Sequence, residues 1–299
     1  MNVLFSLIKR NTKLFFKDKG MFFTSLITPC ILLVLYATFL GKVYRDSFLM
    51  GLPEGVELAE KLLNGAVGGQ LISSILAVSC VTVAFCSNML MVQDKANGSI
   101  KDFTVSPVKK TDLSLSYYFS TLISTLLICY TATAVCLVYV GVTGWYLSII
   151  DIVVLLLDVF LLVLFGTALS SIINFFLSSQ GQISAVGSII SSGYGFICGA
   201  YMPISQFPEA LQKVISFLPG TYGTSIIRNV SLRGVFAEMK EEGVPDFVIT
   251  QMKDAIDCNL YFFDNQVKLG QMYTVLVCAT VVLIGVYIAM NVLSRKKGQ

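Results

Sequence analysis

The chain has 299 residues, of which 55% are hydrophobic and only 13% charged, with a mean hydropathy of +0.77 and a net charge of +3. A soluble domain carries about 25% charged residues to hydrate its surface, so half that value over many long apolar runs means that much of the surface faces lipid. Histidine is absent, which excludes His-based acid–base chemistry, His proton relays and most zinc sites, and the small, scattered positive charge does not suit nucleic acid.

Residues 1–19 read as an amphipathic helix on the cytoplasmic membrane surface. Leu4, Leu7, Ile8, Leu14 and Phe15 form an apolar stripe, and Lys9, Arg10, Lys13 and Lys17 take the other side, where anionic lipid attracts them. No small-residue cleavage site follows the first apolar run near Thr38–Lys42, so the segment is expected to be retained.

Six runs are long enough to cross about 30 Å of hydrocarbon: residues 22–40, 67–92, 114–140, 147–170, 182–202 and 270–293. The fold class is therefore an all-α integral membrane protein. Lys and Arg cluster in the N-terminal segment, in the 93–113 loop (Lys95, Lys101, Lys109, Lys110) and in the tail (Arg295, Lys296, Lys297). The positive-inside rule puts both termini and that loop in the cytoplasm. Segments 41–66 and 203–269 then lie outside. The first holds a Pro53-Glu54-Gly55 turn followed by a short helix, and the second holds short surface helices before the last span. Seven of the eight cysteines sit in apolar runs, and the eighth, Cys258, has no evident disulfide partner.

The 93–113 loop, QDKANGSIKDFTVSPVKKTDL, carries the densest set of signals. Asp94 suits a helix cap, Gly98 permits close approach of another backbone, and Pro107 ends the segment. Ile100 and Phe103 give a short helix an apolar contact among the charges of Lys101 and Asp102. In the fourth run Asp151 lies beside the interfacial aromatics Trp145 and Tyr146, and Asp158 lies seven residues deeper on the same face. A carboxylate at mid-membrane costs about 2.5–3.5 kcal/mol on insertion scales and turns to a polar interior. Asp158 is either a contact on a translocation path or a structural residue bonded to a neighbouring helix. The small residues from Gly181 to Gly199 form a close-packing face. No Gly-x-x-x-x-Gly-Lys-Ser/Thr pattern occurs.

Two segments resemble ABC type-2 exporter permeases. The loop has that family's acidic residue, glycine, Ser-Pro and basic residue at Asp94, Gly98, Ser106-Pro107 and Lys109, although Gln93 and Ser99 stand where the family often has Glu. Residues 203–228 supply Pro203, Phe207-Pro208, Leu211-Gln212, Pro219, Tyr222 and Arg228 in the family's order. The resemblance implies one transmembrane domain over 1–299, pairing with a second copy or a paralogue in the plasma membrane. Two separate ATPase subunits would hold ATP and Mg, so that this chain has no cofactor of its own and is not itself catalytic. It also implies that Asp94, Gly98, Ile100, Lys101, Asp102, Phe103 and Pro107 form a coupling helix seated on the ATPase, and that an amphipathic drug-like, lipid or peptide cargo is exported. The alternative is an ion-coupled secondary transporter using Asp158, for which inverted repeats would speak; no repeat is evident.

Overall fold

A computed structural model describes residues 3–50, 58–106, 108–263 and 265–296. Helix α1 (Val3–Lys17) buries Leu7, Asn11 and Phe15 at four-residue spacing, one face of a helix. Asp18 then accepts a 3.1 Å bond from the Met21 amide and starts α2 (Lys19–Leu35). A π turn at Tyr36–Leu40 carries α2 into α3 (Gly41–Met50), so helical backbone runs past the expected end of the first span at residue 40. The expected Pro53-Glu54-Gly55 turn lies outside the described residues.

Helix α4 (Glu60–Ala96) is the axis of the molecule. Helices α2, α6 (Lys110–Thr143), α7 (Ile149–Phe175), α8 (Gln180–Ile197) and α10 (Pro219–Glu241) all pack on it, and most of its side chains are buried. The segment between the second and third runs is mostly helix: α4 and α6 extend into it, and the seven-residue α5 (Ser99–Val105) sits between them. Residues 60–66 are likewise the first turns of α4 rather than a separate short helix, tied to α3 where Arg45 meets Asn64 and Glu60 at 3.2 Å. These polar ends hydrate a helix longer than the bilayer is thick, which is why hydropathy alone shortens it.

Among the described residues five helices are long and apolar enough to cross a membrane: Lys19–Leu40, Glu60–Ala96, Lys110–Thr143, Ile149–Phe175 and Leu269–Leu293. The expected span at 182–202 is not among them. It is the 18-residue α8, opened by a Ser179/Gln182 capping box and closed before Gly199, whose φ of 71° ends the helix. Its run of glycines and serines dilutes its apolar character.

Residues 203–269 also depart from a set of external surface helices. A short α9 (Glu209–Ile215) leads to Pro219, which opens the 23-residue α10 at its first turn. Helix α10 is buried among α4, α7 and α12 (Leu269–Lys296). Gly223 meets Leu162, thirteen residues into α7, whereas Gly234 meets Tyr146, just before α7 begins. At 1.5 Å per residue α10 therefore starts about 20 Å along α7 and climbs back toward its N-terminus. Helix α11 (Asp246–Ala255) buries Val248, Ile249 and Met252, and a two-strand hairpin (β1 Leu260–Phe262, β2 Asn265–Val267) leads into α12. The sequence disguises α10 because its polar residues are satisfied inside the bundle.

A Cβ at Gly234 would overlap the Tyr146 carbonyl oxygen, while one at Gly193 meets nothing within 4 Å. Gly234→Ala should lower the thermal midpoint in detergent, at a cost of about 1–3 kcal/mol typical of overpacking or more. Gly193→Ala should leave it unchanged or raise it slightly, since alanine favours helix over glycine by about 1 kcal/mol, and a midpoint that Gly234→Ala does not lower would contradict this packing.

Candidate functional site

The 93–113 segment is built around a buried carboxylate. Asp94, in the last turn of α4, is 6% exposed. Arg10 of α1 donates to its Oδ2 at 2.8 Å, and the Tyr117 hydroxyl of α6 donates to the same oxygen at 2.6 Å. The second Arg10 amine reaches Oδ1 at 3.5 Å. Three helices thus meet on one charge pair. Burial alone would lower the Arg10 pKa, but bonding to Asp94 outweighs it and the net direction is upward. Arg10 also donates to Asn11 at 2.8 Å, and Asn11, fully buried, donates to Ser116 at 3.2 Å.

Asp94 is accordingly not the cap of α5, as its sequence position suggests. Gly98 occupies that place with φ 78°, and nothing lies within 4 Å of where its Cβ would be. Glycine is used there for its left-handed backbone, not for close approach within this chain. Ser106 closes α5 by donating to Phe103 at 2.8 Å, and Pro107 lies outside the described residues.

The short helix is two-faced. Phe103 and Ile100 are half-buried. Phe103 packs against the cluster that contains Leu7, Phe15, Leu90 and Leu113, and the Arg10 guanidinium lies 5.0 Å over its ring. Lys101 and Asp102 are exposed, and Val105 is 88% exposed. Val105, absent from the sequence-based set, is a large apolar side chain offered outward on a polar element. Next to Asp94, Lys95 turns the other way and donates to the carbonyls of Asn174, Phe175 and Leu177 at 3.3, 2.7 and 3.2 Å. An ammonium on these terminal carbonyls satisfies the C-terminus of α7.

Asp158 is nowhere near this junction. It is 3% exposed on α7, and the Tyr273 hydroxyl of α12 donates to its Oδ1 at 2.8 Å. Its Oδ2 is buried with no hydrogen-bond partner among the described residues. Asp151 serves the start of α7 instead, in a capping box with Ser148 and an ion pair with Arg233.

A second polar knot was visible in the sequence only as a motif ending in arginine. Arg228 is 1% exposed and donates to Ser73 of α4 at 3.3 Å, to Gly199 at 3.0 Å and to the Ile256 carbonyl, with Asp257 at 3.6 Å. Asp257 accepts the Ile204 amide at 2.9 Å. Tyr222 donates to Ser216 at 2.6 Å and Gln212 to Phe207 at 2.7 Å, so the motif residues fold the segment back on itself. An arginine after the apolar pair Ile226-Ile227 is the sequence signal for such a hub. Among the described residues no cluster of His, Cys, Asp or Glu could hold a metal ion.

Five helices long and apolar enough to cross a membrane, one of them the buried axis α4, are those of a multi-span membrane protein. The sequence profile of the ABC-2 type transporter family matches residues 2–232, and the chain belongs to that family. No curated protein and no solved structure matches it.

Removing Arg10 strands a buried carboxylate. Breaking a buried pair costs about 3–5 kcal/mol, a figure to be discounted here because Arg10 is about one-third exposed. Arg10→Ala should therefore lower the thermal midpoint clearly, and Arg10→Ala with Asp94→Asn should recover part of the loss. Additive effects in that double-mutant cycle would mean the two groups are not coupled.

Proposed function

We propose that the chain is the membrane-spanning subunit of an ATP-driven exporter. ATP and Mg are held by a separate ATPase subunit that docks on α5. The carrying observation is the two-faced α5: Lys101, Asp102 and Val105 face outward while Phe103 is held from behind by Arg10. A partner pressing on that outer face moves three things together. It moves α4 through the Gly98 turn, α1 through Phe103 and Arg10, and the α7 terminus through Lys95. Because α4 touches most of the bundle, a displacement there reaches the transport path without a local unfolding step.

Asp94 and Gly98 act in this reading by holding α5 in place, and Ile100 and Phe103 form its inner side. Two permease copies, or this chain and a paralogue, assemble in the plasma membrane with both termini cytoplasmic. The mainly apolar surface toward lipid suits an amphipathic cargo, drug-like, lipid or peptide, moved outward.

The test uses the chain purified in mild detergent with its ATPase. Val105→Asp and Asp102→Lys leave the interior untouched, so the melting transition should stay within the ±0.5 kcal/mol usual for surface changes. Both should cut copurification and ATPase stimulation at least about tenfold, equal to about 1.4 kcal/mol of binding. Unchanged pairing and stimulation would retire α5 as the docking element.

The unpartnered Oδ2 of Asp158 favours a second reading, ion-coupled transport through that carboxylate. Proton-driven uptake by the chain alone, abolished by Asp158→Asn, would select it. On the exporter reading, Asp158→Asn retains the fold and ATP dependence, with any effect confined to cargo handling.

A further inference from the structure

Helices α2 and α6 both pack on α4 but leave a slot between them. It has a volume of about 450 Å³, and its walls include Phe16, Phe22, Leu33, Ile75, Leu127 and Val135. Thr131 also lines it, but its hydroxyl is already donated to the Leu127 carbonyl at 2.7 Å. The walls therefore offer an occupant apolar contact and little else, which suits a hydrocarbon chain and fits a polar solute poorly.

The mouth differs from the walls. Phe16 and Phe22, with ring centroids 5.8 Å apart, stand at the bend between α1 and α2. Lys13 lies three residues before Phe16 and Lys19 three residues before Phe22, which puts each lysine on the same helix face as its ring. Both lysines are exposed. The one carboxylate at the bend, Asp18, is turned onto the Met21 amide. An apolar slot with two exposed lysines on the helix faces that carry its end rings suits an acyl chain with an anionic headgroup. A helix from a second copy would fill the slot but leave the lysines unmatched.

We propose that this slot is a binding site for one anionic phospholipid, its chain lying along Leu33, Ile75 and Val135 and its headgroup paired with Lys13 and Lys19. The site does not depend on the exporter reading. Bound there, the lipid would tie α2 to α6 beside the Arg10–Asp94 junction, so membrane composition would bear on how firmly α1 is seated.

The chain has one tryptophan, Trp145, which makes a fluorescence test direct. In a Trp145→Phe background, a reporter is placed in the slot by Val135→Trp, and a reference on α12 by Val281→Trp, a position 63% exposed. The intact chain is put into nanodiscs of phosphatidylcholine containing a minor fraction of brominated-chain phosphatidylglycerol or brominated-chain phosphatidylcholine. The slot reporter should be quenched several-fold more by the brominated phosphatidylglycerol. Lys13→Gln with Lys19→Gln should abolish that preference, and the reference should respond equally to both lipids. Leu33→Trp is the second slot reporter should Val135→Trp fail to fold. Equal quenching by both lipids at the slot would reduce it to ordinary lipid contact, and no quenching at either slot reporter would mean that protein covers it; each result overturns the proposal.

Discussion

A charged carboxylate is costly to bury among apolar side chains unless a cation and donors meet it, and this requirement at Asp94 organises the α5 end of the bundle. Asp94 closes the central helix among Leu90, Met91, Leu113 and Phe15, so it must recruit a cation and a donor. Arg10 and Tyr117 answer from two other helices. Arg10 is thereby withdrawn from the basic face of α1, and α1 packs along α6. With Phe103 stacked beneath the same guanidinium, the orientation of α5 follows from where the charge pair sits. The outward exposure of Lys101, Asp102 and Val105 is a consequence of that inward anchor.

Nearer its middle, at Ser73, α4 is held by the same principle with the signs reversed. Arg228 is a buried cation, and its partners are mainly backbone carbonyls freed where helices end, at Gly199 and Ile256. Chain breaks inside a bundle expose such carbonyls and a guanidinium can bridge several at once. The α8 terminus, the α10 helix and the 256–258 turn are consequently locked to Ser73 on α4. A long helix clamped by one polar knot in its last turn and another near its middle, with close-packed small residues between, can pass a displacement along that stretch. That is the mechanical property the proposed coupling to a separate ATPase would use.

Much of this was legible in the sequence, and the exceptions are instructive. The spans at 22–40, 67–92, 114–140, 147–170 and 270–293 each correspond to a helix that is long and apolar enough to cross, because such a helix is apolar both where it faces lipid and where, as in α4, it is buried in the bundle. The amphipathic start was legible from the spacing of Leu7 and Phe15. The buried side of Asn11 was not, since an asparagine reads as polar surface until Ser116 appears opposite it. Helix α10 was hidden for the same reason: Thr221, Ser225 and Arg228 look solvated but are satisfied by neighbours distant in the chain. Asp94 was recognised as important and given the wrong local duty, because a one-dimensional pattern offers a cap three or four residues away but cannot offer Arg10, 84 residues distant. Gly98 was singled out for close approach of a backbone, whereas the structure shows there a left-handed backbone with no near neighbour.

On the proposed reading, an external ATPase grips this bundle at the outer face of α5. The most direct measurement is photo-crosslinking in native membranes from an unnatural residue at position 105, with position 142, equally exposed at the far end of α6, as the reference. A protein carrying a Gly-x-x-x-x-Gly-Lys-Ser/Thr nucleotide loop should be captured from 105 and not from 142. Capture of no such protein from 105 in folded chain, or equal capture from both positions, would contradict the account.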